Sequence, residues 1–311
     1  INNTDTAIKH VARIFELLGS EKGHLKIIET ILSFFALSGD PDLALIHVIR
    51  FLEALDNPST ALFEIFKEKR NIKLLSKIFS ESIYFSNIII NNPEYFFELI
   101  RGDIGRVKTR EEMLYEMLSE ASKLDEFDDE RINIMRKYKN KAVVRIGAND
   151  LMGISNLQTT TGEISNLADV CIEFSLLHYK KALNNTHGQP CTDCKFAVIS
   201  MGKLGGFELN YSSDIDIIFV CEGSGTTDKT GITYLEYYTL LAKKVSTAVN
   251  ENSAYGYCFR VDTRLRPEGS KGRLVISLDS YRAYYETRGK TWERQALIKA
   301  RLSAGDESLG K

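Results

Sequence analysis

The chain has 311 residues, 43% of them hydrophobic, which is enough for one large domain or two ordinary ones with a substantial core. Its formal net charge of −2 lacks the basic excess by which a protein tracks a nucleic-acid backbone. No apolar run approaches bilayer-spanning length, SNIIINN at 86–92 being far too short, so neither nucleic acid nor a membrane is an expected partner.

The opening INNTDTAIKH lacks the basic and apolar regions of a secretory leader. The chain starts without Met and stops at GDESLGK, which reads as a piece of a longer protein. From residue 4 to about 101, apolar residues recur at helical spacing: Ile8, Val11, Ile14 and Leu17 form one stripe, Leu43, Ile46, Val48 and Leu52 another. Asp40-Pro41, Asn57-Pro58 and Asn92-Pro93 each look like a cap followed by proline at the first helical position. With only five prolines in all, long helices joined by short turns are expected. Residues 109–138 are highly charged and read as one exposed helix, interrupted near 125–130. Residues 164–183 form another amphipathic helix, with Leu167, Val170, Phe174 and Leu177 on one side. After His187 the character changes. Strands are predicted at 196–200, 214–221 and 257–262, with 274–277 a candidate fourth. Helices are predicted at 232–249, with Leu235, Tyr238, Leu241 and Val245 inward, and at 279–287 and 292–300. The expected fold is therefore α+β and mostly helical: a helical bundle over 1–140, then a second domain over 141–311 with a small mixed sheet at about 195–277 and helices packed on it.

One run carries chemistry: MGKLGGFELNYSSDIDIIF at 201–219. In a strand, alternate side chains share a face, so Asp214 and Asp216 point the same way. Two carboxylates held that closely repel each other and lose hydration. A hard divalent cation removes the repulsion and takes its remaining ligands from water and phosphates. The plainer reading is a surface turn leading into an edge strand with solvated aspartates. Two neighbours weigh against it. Gly202, Gly205 and Gly206 precede the pair and let backbone N–H groups approach phosphate oxygens. In YCFRVDTRLRP at 257–267, Tyr257, Phe259 and Val261 alternate with Cys258, Arg260 and Asp262, which puts a third carboxylate on a polar strand face. If the extended geometry continues, Arg264 and Arg266 follow Asp262 on that face and supply guanidiniums for phosphate, the plainer alternative being surface salt bridges.

Gly202, Asp214-x-Asp216 and the later Asp262 resemble the DNA polymerase β-like nucleotidyltransferase superfamily, although Lys203 departs from its usual second turn residue. The longer runs MGKLGGFELNYSSDIDIIF, RVDTRLRPEGSKGRLV and YYETRGKTWERQALIKAR resemble the enzymes that adenylylate and de-adenylylate glutamine synthetase. VVRIGANDLMGISNL and KLLSKIFSESIYFSNIIINNPEYFFELI extend the resemblance over most of the chain. It implies a nucleotidyltransferase-fold catalytic domain in the second part. That family has two catalytic halves in one polypeptide. One attaches AMP from ATP to a tyrosine of glutamine synthetase; the other removes it by phosphorolysis, releasing ADP. Both share the aspartate and arginine motifs. The wording of ELNYSSDID, ETRGKTWER and WERQALIKAR is more similar to the removing half.

On that resemblance Asp214, Asp216 and Asp262 are the expected ligands of Mg²⁺ or Mn²⁺. Gly202, Gly205, Gly206 and Ser213 are expected to hold phosphate oxygens. Arg264 and Arg266, with Lys203, are expected to bind the incoming phosphate, and Lys299 and Arg301, in the helix-like IKAR stretch, to contact phosphate or end a solvated helix. Trp292 is expected to pack, and Glu293 to shape a pocket wall. The implied partners are adenylylated glutamine synthetase, ADP or ATP, phosphate, and a PII-type signalling protein acting through regions outside this chain; the implied setting is the cytoplasm. None of the five histidines lies inside the motifs. Phosphate is already anionic at neutral pH, so its attack needs a strong general base less than attack by a hydroxyl does. A regulatory binding module and an antibiotic or nucleic-acid nucleotidyltransferase are the competing readings; the carboxylate set disfavours the first, the balanced charge and long family-like motifs the second. Outside the motifs, five cysteines in a long chain are expected to be reduced thiols, and Cys191-x-x-Cys194 lacks the second ligand pair that a structural zinc needs. Cys221 and Cys258 fall at strand positions and read as core filler.

Overall fold

Asp40 and Asn57 do at the start of two helices what their pairing with proline predicts. Asp40 accepts a hydrogen bond from the Leu43 amide (3.0 Å) and Asn57 from the Thr60 amide (3.1 Å), each cap stabilising its helix by about 1 kcal/mol. Asn92 precedes a helix with Pro93 at its first position but makes no side-chain cap; its amide instead donates to Ile88 O (3.0 Å) of the helix before. The computed structural model describes residues 4–19 and 22–310. Seven helices come first: α1 Thr4–Leu18, α2 Lys22–Ala36, α3 Pro41–Glu53, α4 Pro58–Phe66, α5 Lys69–Glu81, α6 Ile83–Asn91 and α7 Pro93–Arg101. Then come α8 Arg110–Ala121, α9 Glu130–Leu151 and α10 Leu157–His187. The mixed region runs β1 Lys195–Ser200, α11 Gly202–Gly205, β2 Ile215–Glu222, α12 Tyr234–Asn250, β3 Val261–Asp262, β4 Val275–Ser277, α13 Leu278–Thr287, α14 Thr291–Ala296, β5 Arg301–Gly305 and α15 Glu307–Gly310. The fold is α+β and mostly helical, with a small mixed sheet.

The chain divides into two compact units. The first holds the described residues up to Arg106 together with Lys141–Thr160; the second holds Val107–Asn140 and everything from Thr161. Among the described residues the first unit's regular elements are all helices. Its α1 stripe is offset from the expected one: Ala7, Ile14 and Leu18 are buried, while Ile8 is 62% exposed. In α3, Val48 and Leu52 are buried as expected, but so are Ala44 and Leu45, and Ile46 faces outward. Gly147, on the part of α9 in this unit, stands where a Cβ would meet the Phe85 ring at 2.2 Å. Alanine would favour the helix by about 1 kcal/mol, but overpacking a buried ring costs roughly 1–3 kcal/mol, and at 2.2 Å the ring must move. Gly147→Ala is therefore expected to lose about 1–2 kcal/mol in urea unfolding; equal stability would disprove this packing.

In the second unit the stretch read as one solvated helix is two helices, α8 and α9. Met113, Met117, Ile132 and Met135 are buried among the charges. Thr109 and Glu112 form a reciprocal capping box at the start of α8. α10 buries Leu167, Val170 and Phe174 as predicted, but Leu177 lies exposed; α12 buries Tyr238, Leu241 and Val245, with Leu235 only partly covered. β2 is central to the sheet. It pairs antiparallel with β1, which pairs antiparallel with β5. Along its other edge β2 pairs in parallel with β3 at Ile215 and Asp216, and with β4 from Phe219 to Cys221.

One strand prediction and one helix prediction are corrected. Residues 257–260 are not strand: the amides of Cys258 and Phe259 both reach back to Val249 O and finish α12, so only Val261–Asp262 is extended. The IKAR stretch is not a helix. Leu297–Lys299 is a single 3₁₀ turn, and Arg301 opens β5. The cysteine reading is corrected as well. Cys191 and Cys194 are joined as a disulfide just before β1, rather than standing as two thiols. Cys171, Cys221 and Cys258 are free and buried. No helix among the described residues is long and apolar enough to cross a membrane.

Candidate active site

β1 ends at Ser200, and the chain turns at once beside the start of β2. The Met201 amide donates to Asp216 O (2.8 Å), which locks the turn to the strand. Gly202 adopts φ +54, and a Cβ there would sit 2.4 Å from Asp216 Oδ2. Only glycine combines that backbone conformation with so close an approach to a carboxylate. Gly205 is tighter still: a Cβ would lie 2.1 Å from Lys299 O and 2.9 Å from Ser200 O, both backbone atoms. The amides of Gly205 and Gly206 donate within the turn, to Met201 O (2.8 Å) and Gly202 O (3.2 Å).

The parallel pairing of β2 with β3 sets Asp216 opposite Asp262. Asp214 lies immediately before β2. Asp216 is half-buried; loss of hydration, and then the charges of Asp262 and Asp214, push its carboxyl above the usual carboxylate range. Its two neighbours are engaged by arginines. Arg260 donates from Nε to Asp214 Oδ1 (2.5 Å) and from Nη2 to Ser212 O (2.6 Å). Arg264 grips Asp262 from its backbone amide (2.8 Å), Nε (2.9 Å) and Nη2 (2.5 Å), which holds that carboxyl below its ordinary value. Among the described residues no three His, Cys, Asp or Glu side chains already form a metal-ligand group. The donor chemistry nonetheless fits a hard cation: all three groups are carboxylates at two paired strand starts, and the half-buried Asp216 is repelled by both others. Asp214 and Asp262 would have to exchange a guanidinium for the cation.

The motifs assign Arg260 no role, although it stands two residues before Asp262 in the alternating run, which places it on the same strand face. The other expected residues are scattered in what they do. Lys203 is exposed, its Nζ 3.5 Å from Ser213 Oγ, and Ser213 Oγ donates to Asn210 Oδ1 (2.7 Å). Extended geometry does not continue past Asp262, because the chain turns there. Arg266 points into the resulting loop, donating to Thr263 O (2.7 Å), Thr263 Oγ1 (2.8 Å) and Gly272 O (3.2 Å). Lys299 pairs with Glu208 (2.6 Å), and a Cβ on Gly206 would touch its Cδ at 3.1 Å. Arg301 pairs with the buried Asp169 (2.6 Å). Trp292 does not pack; it is 54% exposed. Glu293 is buried and accepts from Tyr284 Oη (2.9 Å) and the Lys290 amide (2.8 Å), closing the start of α14.

A glycine turn pressed against a strand carboxylate, with a second carboxylate in register on the parallel neighbour and basic side chains close by, is the arrangement that the resemblance to nucleotidyltransferases leads one to expect in this α+β fold. The family described as glutamate-ammonia ligase adenylyltransferase matches residues 72–311, and the chain belongs to that family. It is 37% identical over 245 residues to a Nitrosomonas eutropha protein named as a bifunctional glutamine synthetase adenylyltransferase/adenylyl-removing enzyme, covering 76% of this chain and 26% of that one. Proteins of the same name are 34% identical over 269 residues in Nitrosococcus oceani (84% of this chain, 27% of the relative) and 31% over 298 residues in Streptomyces avermitilis (95% and 28%). The chain thus spans about a quarter of the length of the curated relatives it matches.

Proposed function

We propose that this chain removes AMP from adenylylated glutamine synthetase by phosphorolysis, yielding ADP and the free tyrosine. The observation that carries the reading is the meeting of Gly202, Asp216 and Asp262 at one end of β2, with Lys203, Arg260 and Arg264 around them. The relatives' printed name covers both addition and removal. Removal is favoured by the wording around the motifs, which is more similar to the adenylyl-removing half.

Asp214, Asp216 and Asp262 would hold Mg²⁺ or Mn²⁺. That ion would supply a Lewis acid for the α-phosphoryl oxygens and the departing phenolate. The chain's own groups do the rest. Lys203 and Arg264, exposed beside the carboxylates, attract and orient the incoming phosphate. Gly202, with no Cβ to collide with Asp216, lets the turn's backbone stand against the carboxylates, where the nucleotide's phosphate would be held. A phosphate oxygen bonds to the α-phosphorus, the bond to the phenolic oxygen breaks, and the phenolate takes a proton from water.

The test is incubation of the chain with adenylylated glutamine synthetase, phosphate and Mg²⁺. Formation of ADP that depends on phosphate is expected. Incorporation of AMP from ATP into the unmodified enzyme, with no ADP formed from the adenylylated one, would assign the opposite direction.

A further inference from the structure

The glycine turn is held from behind by a buried charge that the chemistry above does not use. Asp169 lies on α10 and is 1% exposed. Its Oδ2 accepts from Arg301 Nη1 (2.6 Å) and its Oδ1 from Ser303 Oγ. Burial leaves the Asp169 carboxyl above its ordinary value, even though Arg301 and Ser303 draw it down. Arg301 continues outward. Its Nη2 donates to Leu204 O (3.0 Å), in the middle of the turn, and its guanidinium carbon lies 3.8 Å from the centre of the Phe207 ring. Phe207 is the residue that leaves the turn in a left-handed conformation, φ 55. One helical turn earlier on α10, the buried Ser165 Oγ accepts from the Leu209 amide (3.3 Å). Two points on one helix face therefore set the position of the segment from Leu204 to Leu209.

A buried ion pair is poor value as a stabilising device, because the hydration it gives up offsets most of its attraction. This one is not optimised for stability either: Arg301 Nε is buried with no hydrogen-bond partner among the described residues. What the pair does supply is fixed register, since a guanidinium fork fits a carboxylate and a carbonyl only in set directions. We infer that Asp169 is a positioning residue for the glycine turn, acting through Arg301, and that Arg301 holds the turn against the carboxylates rather than binding phosphate. The inference rests on 202–206 being the nucleotide-facing turn.

The test compares the wild-type chain with Asp169→Asn and Asp169→Glu. Hydrogen exchange is followed for peptides covering 202–209 and, as reference, α12. In parallel, kcat and KM are measured for ADP formation, and ADP binding is measured by calorimetry. In Asp169→Asn, exchange over 202–209 is expected to rise about tenfold with α12 unchanged, and kcat to fall roughly 10- to 100-fold with little change in KM, the loss expected of a slightly misplaced reacting group. Asp169→Glu, which keeps the charge, is expected to recover part of both. Unchanged exchange over the turn, an equal rise in α12, or a loosened turn with normal kcat would each overturn the inference. If the wild-type chain forms no ADP, the functional reading fails. Exchange and ADP affinity then decide the present inference alone: a loosened turn with weaker ADP binding supports it, and wild-type values overturn it.

Discussion

Asp216→Asn is expected to remove turnover almost entirely while leaving the fold intact. Asp216 is half-buried, directly opposite Asp262 and beneath Gly202. Asparagine keeps its shape and removes the charge. A ligand that helps neutralise developing charge at a phosphoryl centre contributes several kcal/mol, and about 4 kcal/mol is roughly a thousandfold in rate. The same change relieves the apo fold of repulsion from Asp262 and Asp214 and of the cost of a poorly hydrated charge. Its melting temperature should therefore be unchanged or slightly higher. Initial-rate measurement of ADP formation, with a thermal melt on the same sample, checks both halves. Turnover within tenfold of the wild type would remove Asp216 from the chemistry.

Gly205→Ala is expected to damage stability and activity together. The new methyl would meet Lys299 O at 2.1 Å and Ser200 O at 2.9 Å. Neither atom is the free end of a side chain, so the turn must shift away from β1 and the segment leading into β5. Overpacking of this kind costs roughly 1–3 kcal/mol, and the absence of any flexible neighbour puts this site at the upper end. Gly202 and Asp216 sit on the same short turn and adjoining strand, so a shift of about 1 Å there is expected to lower kcat roughly a hundredfold. Urea unfolding and turnover measured on one preparation test it. A variant as stable and active as the wild type would show that the turn is not wedged between those carbonyls.

The parts of this architecture that depend on local chemistry were readable from the sequence. Asp40 and Asn57 announce their helices through cap-proline pairs. β2 and α12 carry strong periodic patterns, and the glycines before Asp214 mark the turn. The parts that depend on distant partners were not. β5 exists because Arg301–Gly305 pairs with β1 about a hundred residues away, and LIKAR alone reads as a helix. The alternation in YCFRVD suggests a long strand, yet Cys258 and Phe259 are drawn off to end α12 at Val249. The charges of 109–138 hid a buried methionine stripe. At the site, the sequence placed arginines near carboxylates but could not say which way each would turn. Arg264 faces Asp262, Arg266 turns to loop carbonyls, and Arg301 reaches Asp169, 132 residues earlier. Arg260, which no motif marks, holds Asp214.

Asp214, Asp216 and Asp262 are proposed to act as one divalent-cation site at the glycine turn. Titration of Mn²⁺ into the chain, followed by electron paramagnetic resonance, addresses this without any substrate. Saturable binding that Mg²⁺ displaces is predicted for the wild type, weakened at least about tenfold by Asn at any one of the three positions. Undiminished Mn²⁺ binding by the chain carrying all three substitutions would contradict it.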